Sequence, residues 1–265
     1  MKQEILSSLA QAYPWAEHFH YFDCIDSTND RLKLMARQGA PHGTVLIADR
    51  QTGGHGRRGR SFLSPSGVGI YLSILLRPNC GVQELMHLTC AAGVAMCDAV
   101  EASAGFRPGI KWTNDLVYGK RKLGGILTEL GFTPQGTVDY AIVGIGINCC
   151  QNKEDFAPEI RHIAASLSMV TGQPVSRAKV AAAMMEALHR MSEGLLSGKQ
   201  ACLQRYRTDC ITVGQNISLV RGEEVRYGKA LDVDSEGALI VRFADGHTEA
   251  VNSGEVSVRG MYGYI

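Results

Sequence analysis

Residues 51–60 read Gln-Thr-Gly-Gly-His-Gly-Arg-Arg-Gly-Arg, with four glycines and three arginines in ten positions. Glycine admits positive φ and lets a ligand approach the main chain closely. Arginine offers a planar fork of donors matched to phosphate and carboxylate. Together they describe a loop that wraps an anion. Four further segments carry groups suited to the same task. Asp26-Ser-Thr-Asn29 supplies helix N-cap residues, whose hydroxyls and N–H groups can also meet a small polar ligand. Lys111-Trp-Thr-Asn-Asp115 joins an ammonium that can reach phosphate to a carboxylate that can face a metal; taken alone it reads equally well as a turn. Lys122 opens an apolar run beside Gly124 and Gly125. An ammonium there calls for an anionic partner, or else snorkels to solvent. Gly144-Ile-Gly-Ile-Asn148 places two bare backbone positions on one strand face, permitting close approach by a ligand or a neighbour. It lacks the spacing and following helix of a dinucleotide fingerprint.

These segments need elements to hold them. Thr44–Ala48 leads into the glycine loop and Gly69–Leu76 leads out, each a short run rich in strand formers. The pattern predicts a helix near 2–12, a strand over His18–Ile25, and a helix from the Asp26–Asp30 caps to Gly39. A helix follows from Val82 to about Ser103, with Leu85, Leu88, Ala92, Met96 and Val100 on one face. Strands are predicted at Gly109–Trp112, Lys122–Leu130 and Val138–Ile147, the last two joined by a hairpin over Gly131–Gly136. Helices dominate from Ser166 to Thr208. Beyond Val213, short alternating runs at Ile217–Val220, Val225–Val233, Ala238–Phe243 and Val256–Val258 predict a small antiparallel barrel. The expected organisation is α+β: residues 1–211 as a mixed sheet with helices packed on it, and residues 212–265 as the barrel.

Composition narrows the possibilities. The 265 residues are 45% hydrophobic and 20% charged, with formal net charge +1, so no global field draws the molecule to nucleic acid or membrane. The C-terminal region holds Arg221, Arg226, Lys229 and Arg242, but Glu223, Glu224, Asp232, Asp234 and Glu236 break any basic stripe. Eight cysteines form no Cys-x-x-Cys pair and complete no zinc spacing with histidine, so they read as reduced thiols of a cytoplasmic protein, with Cys90 and Cys97 in a core. The scattered histidines 18, 20, 42, 87, 162, 189 and 247 are given no chemistry. No run of about 20 apolar residues predicts a membrane span.

In this order and spacing, Ser27-Thr28-Asn29, Gly54–Arg60, Lys111–Asp115, Lys122–Glu129 and Gly144–Asn148 resemble the motifs of the biotin–protein ligase family. The likeness is close over residues 20–150, and a trailing SH3-like barrel also fits it. The resemblance implies that biotin is activated with MgATP to biotinyl-5′-AMP and passed to a lysine on a biotin carboxyl carrier domain. It implies Lys122 and Arg57 as catalytic residues. It places Ser27, Thr28, Asn29, Gln51, His55, Gly56, Arg57, Lys122 and Gly125 on biotin, with Gly124 and Gly125 leaving room for its tail. For ATP and adenylate it implies Arg57, Arg60, Lys111, Trp112, Asn114, Asp115, Lys122 and Asn148, with Asp115 facing magnesium carried on ATP. Lipoate and octanoate ligases or transferases share the catalytic fold, but the Gly-Arg loop and Lys-Trp-x-Asn-Asp are biotin-side features.

Two positions depart from the family pattern. His55 stands where arginine is usual, exchanging a permanent charge for one that titrates near neutrality. Thr113 replaces a proline, freeing φ, with a minor effect expected. Some family members begin with a DNA-binding winged helix-turn-helix. Only about 17 residues precede the first strand here, so a ligase without repressor function is expected, a monomer or homodimer with no nucleic-acid or membrane partner.

Overall fold

A computed structural model of the chain describes residues 1–10, 12–221, 223–252 and 257–260. Seven strands build the first sheet: β1 (Phe19–Ile25), β2 (Thr44–Gln51), β3 (Gly69–Leu76), β4 (Gly109–Lys111), β5 (Asp115–Tyr118), β6 (Arg121–Phe132) and β7 (Val138–Asn148). Their order is β1-β2-β3-β7-β6-β5-β4, with β1 and β2 parallel and the remaining pairs antiparallel. The helices are α1 (Lys2–Ser8), α2 (Thr28–Arg37), α3 (Leu88–Ala104), α4 (Leu167–Thr171), α5 (Arg177–Glu193) and α6 (Lys199–Asp209).

Alternation along the strands sorts the sheet into two faces. Leu46, Leu75, Tyr140 and Ile142 point to Leu32 and Ala36 of α2. Val45, Ile47, Leu72, Ile74, Ala141 and Val143 point the other way, into a larger core shared with Ile5, Met96, Val100, Met184 and Leu188. Every residue of β3 is buried, because helices cover both of its faces. The stretch 82–104, which includes α3, is long and apolar enough by length and composition to cross a membrane. In the fold, 72% of that window is buried, as a core helix requires.

The sequence pattern misses two strands. The first is β5, Asp115–Tyr118, which pairs with β6 across a register shift. The second is β11 in the C-terminal sheet, which comprises β8 (Asn216–Arg221), β9 (Glu224–Val233), β10 (Leu239–Phe243), β11 (Thr248–Val251) and β12 (Ser257–Gly260), ordered β11-β10-β9-β8-β12. Among the described residues β11 and β12 are its two edges, so the predicted barrel is here an antiparallel sheet without closure. Val256, the first residue of the last predicted strand, lies outside the described residues.

The second sheet is fastened to the first at the Lys111–Asp115 motif. The Trp112 N–H donates to Thr212 Oγ1 at 2.9 Å, and its indole Nε1 donates to Gly237 O at 2.9 Å, both buried. Ile217, Leu219, Val233, Leu239 and Val241 belong to the same apolar cluster as α3 and α5.

His87, just before α3, is fully buried and donates from Nε2 to Leu195 O at 2.8 Å. Burial holds its pKa below the usual 6.5. The unfolded chain therefore takes up the proton first as pH falls. His87 contributes its full stability above about 6.5 and loses it as pH drops toward the folded value. His87→Gln keeps a donor for Leu195 O but cannot titrate. Its denaturant midpoint is expected to fall less between pH 7 and pH 5 than that of the parent chain; parallel losses would refute this.

Candidate active site

The N-terminus of α2 forms the floor of a cavity of about 220 Å³. Ser27 caps the helix, its hydroxyl accepting from the Asp30 N–H at 3.3 Å. Gln51, the last residue of β2, is tied into this turn. Its Oε1 accepts from the Thr28 N–H at 2.8 Å and lies 2.9 Å from the Thr28 hydroxyl, while its Nε2 donates to Ser64 Oγ at 3.0 Å. Because a backbone N–H can only donate, the orientation of the Gln51 amide is set. Behind this turn, Asn29 Nδ2 donates to Glu129 Oε2 at 2.8 Å, and the buried Ser73 Oγ lies 2.6 Å from Asn29 Oδ1.

The glycines of β6 and β7 make that close approach possible. A Cβ at Gly144 would run into the Asn29 carboxamide, and one at Gly146 into the Phe62 ring. The two bare positions are thus filled by neighbours in the chain. A Cβ at Gly124 would strike the Gly146 carbonyl, so its lack of a side chain serves strand packing, and the expected room for a ligand tail is not found there. Gly125 does border the cavity, beneath Lys122 and Asp115.

The glycine–arginine loop is a hydrogen-bonded hairpin. Phe62 N–H donates to Gly54 O at 2.9 Å and Gly56 N–H to Arg60 O at 2.7 Å. A Cβ on Gly54 would lie 2.6 Å from Phe62 O, so glycine is needed where the hairpin pinches. The loop already reaches across the cavity, with Arg57 Nη1 donating to Asn114 Oδ1 at 3.0 Å. Burial, reinforced by the like charge of Arg58, lowers the Arg57 pKa despite Asp115. An anion in the cavity would relieve that cost. Opposite, Lys122 Nζ pairs with Asp115 Oδ1 at 2.6 Å, and Lys111 is buried. The Trp112–Thr113 peptide bond, where the family pattern has proline, is cis.

Gly124 aside, fourteen of the fifteen predicted site residues border one cavity: Ser27, Thr28, Asn29, Gln51, His55, Gly56, Arg57, Arg60, Lys111, Trp112, Asn114, Asp115, Lys122 and Gly125. Asn148 does not. Its Nδ2 donates to Ala165 O at 3.1 Å and its Oδ1 accepts from Gln151 at 3.2 Å at the end of β7. Sequence reasoning missed Phe62, which borders the cavity, and Ser73, which stands behind it. Ser73 had a signal, a hydroxyl within an otherwise apolar strand; Phe62 had none.

His55 Nδ1 lies 3.2 Å from Gly53 O and 3.7 Å from Asp30 Oδ2. An arginine at this position would carry a permanent charge on the lid. His55→Arg is expected to slow release of a bound acyl-adenylate about tenfold, one charge-assisted hydrogen bond. Equal release rates at neutral pH, measured by stopped-flow fluorescence, would refute this.

The arrangement joins a floor of paired amide and hydroxyl groups to a rim of Arg57, Lys111 and Lys122. It suits a ligand with a polar uncharged head and a reacting anionic end. Among the described residues no cluster of three potential metal-ligating side chains occurs. Asp115 alone fits magnesium that arrives on a triphosphate, which needs only one or two protein carboxylates.

A profile of the biotin/lipoate A/B protein ligase family matches residues 21–148, and one of the biotin protein ligase C-terminal domain matches residues 212–259. The chain is 36% identical to the bifunctional ligase/repressor BirA of Bacillus spizizenii, over 87% of this chain and 71% of that one. It is 31% identical to the biotin–[acetyl-CoA-carboxylase] ligase of Mycobacterium tuberculosis, over 87% and 85%. The biotin protein ligase of Aquifex aeolicus, solved in complex with biotin and ATP, superposes with a TM-score of 0.77 at 29% identity, covering 91% of this chain and 98% of that one.

Proposed function

The chain belongs to the biotin/lipoate A/B protein ligase family, and from that premise we infer that it is an ATP-dependent biotin–protein ligase. The supporting observation is the meeting of Lys122, Lys111 and Arg57 over a floor built by Thr28 and Gln51. In the first half-reaction a biotin carboxylate oxygen attacks the α-phosphorus of ATP. The new P–O bond gives biotinyl-5′-AMP, and the bond to the β-phosphate breaks to release pyrophosphate. Two anions must be forced together, and fixed cations offset that repulsion. Lys122 and Arg57 would stand at the carboxylate–phosphate junction, with Lys111, Trp112, Asn114 and Arg60 toward the nucleotide. Asp115 would meet magnesium on the triphosphate, exchanging its pairing with Lys122. Ser27, Thr28, Asn29 and Gln51 would take the ureido ring. The hairpin at His55–Arg57 would cover the mixed anhydride and exclude water. In the second half-reaction a lysine amine of a carboxyl carrier domain attacks the acyl carbon, AMP leaves, and the amine sheds a proton.

We assign residues 1–211 to this chemistry. We propose residues 212–265 as a small SH3-like domain that helps dock the carrier or ATP. Incubating the chain with biotin, MgATP and a carrier domain, followed by mass spectrometry of the carrier, tests the proposal. One added biotinyl group on one lysine is expected. Pyrophosphate release with lipoate but not biotin would overturn it.

A further inference from the structure

Lys33 lies one turn along α2 from Asn29, outside the cavity. Its Nζ stands 2.6 Å from Glu129 Oε1 and 2.9 Å from Asp30 Oδ1. Burial alone would lower the pKa of this ammonium, but its bonds to Glu129 and Asp30 outweigh that and raise it. Both carboxylates also touch the site. Asp30 faces His55 of the hairpin at 3.7 Å, and Glu129 accepts from Asn29. An exposed ion pair would deserve little weight. This one is partly exposed, with the Lys33 and Glu129 side chains at 24% and 28%, and what it holds is directional.

Glu129 is held by Lys33 at Oε1 and accepts at Oε2, so Asn29 turns Nδ2 toward it and Oδ1 toward Ser73. Ser73 has one proton and lies 2.6 Å from Asn29 Oδ1 and 2.8 Å from Thr28 Oγ1. Asn29 Oδ1 takes that proton. The Thr28 hydroxyl then sends its own proton inward, to Ser73 Oγ or to Gln51 Oε1. Its lone pairs are left facing the cavity, ready for a ligand N–H. Were the Asn29 amide reversed, Nδ2 would donate to Ser73, and the Ser73 proton would occupy Thr28 instead.

We propose that Lys33 is a positioning residue: by pinning Glu129 Oε1 it aims Oε2 at Asn29, fixes the hydrogen-bond direction through Asn29 and Ser73, and so leaves the Thr28 lone pairs to a ring bearing N–H donors. The inference rests on the biotin reading of the cavity. Its prediction concerns the ring end only, since Lys33 is remote from the reacting carboxylate.

Steady-state pyrophosphate release by the full chain tests it, with Lys33→Met, Lys33→Arg, Glu129→Gln and the Lys33→Met/Glu129→Gln double variant. Lys33→Met and Glu129→Gln are each expected to raise KM for biotin about tenfold, leaving kcat and KM for ATP within about twofold. Lys33→Arg, which retains the charge, is expected to stay near the parent chain. The double variant is expected to lose no more than the worse single one, as members of one network do. Glu129→Gln keeps side-chain volume and guards against a failure to fold. An unmoved KM for biotin, or equal losses in kcat and KM for ATP, would overturn the inference while parent turnover upholds the biotin reading. A parent chain that releases no pyrophosphate with biotin overturns both.

Discussion

Lys122→Ala is expected to cut the rate of biotin adenylation by about 100- to 1000-fold, the range for removing one fixed electrostatic contact to developing charge. The side chain leaves β6 near its start and is partly exposed, so truncation opens no core cavity. What it removes is the ammonium 2.6 Å from Asp115 Oδ1. Without it, two incoming anions meet one cation fewer, and Asp115 adds its own negative charge to their repulsion. Lys122→Met, which keeps the volume of the stem, is expected to behave alike and so separates charge from packing. Pyrophosphate release measures the rate, and a circular-dichroism melt within a few degrees of the parent controls for folding. Near-normal turnover in either variant would remove Lys122 from the mechanism.

Gly144→Ala carries the largest expected loss of stability, about 2–4 kcal/mol, because the added methyl must displace a buried hydrogen-bonded group. The methyl would occupy the place of the Asn29 carboxamide, which sits between Glu129 and Ser73. Either Asn29 moves and leaves both partners short of a hydrogen bond, or β7 shifts between β3 and β6. Both routes disturb Thr28, so biotin affinity is expected to fall with stability. Urea unfolding and isothermal titration with biotin measure the two. A loss under about 0.5 kcal/mol, the size of an ordinary surface change, would show that the site relaxes without cost.

The grouping at the cavity was readable where residue type and spacing are unusual. Lys122, Arg57, Gln51 and Thr28 announce themselves by type and spacing, and the fold brings them together. The elements were readable where hydrophobic period and caps agree. Ser27 before α2 and the apolar run of β3 are examples. Asp115–Tyr118 escaped because its strand is made by pairing with β6, and four residues hold too little pattern to predict that pairing. A motif position does not reveal which way a side chain leaves its strand; that of Asn148 turns to Ala165 and away from the cavity. Lys33 stayed hidden because a lysine on an amphipathic helix reads as solvent-facing. Its partner Glu129 lies 96 positions away in the chain, and only the folded sheet brings the two together.

The indole hydrogen bond from Trp112 to Gly237 crosses between the two sheets, next to the residues that border the cavity. A single apolar cluster continues through both sheets. Loosening at one sheet is therefore felt at the other, and the two rise and fall in free energy as one cooperative unit. A protein docked on the C-terminal sheet would bear on a residue one peptide from Lys111. The segment that reads as an appendage in the sequence is mechanically part of the catalytic frame.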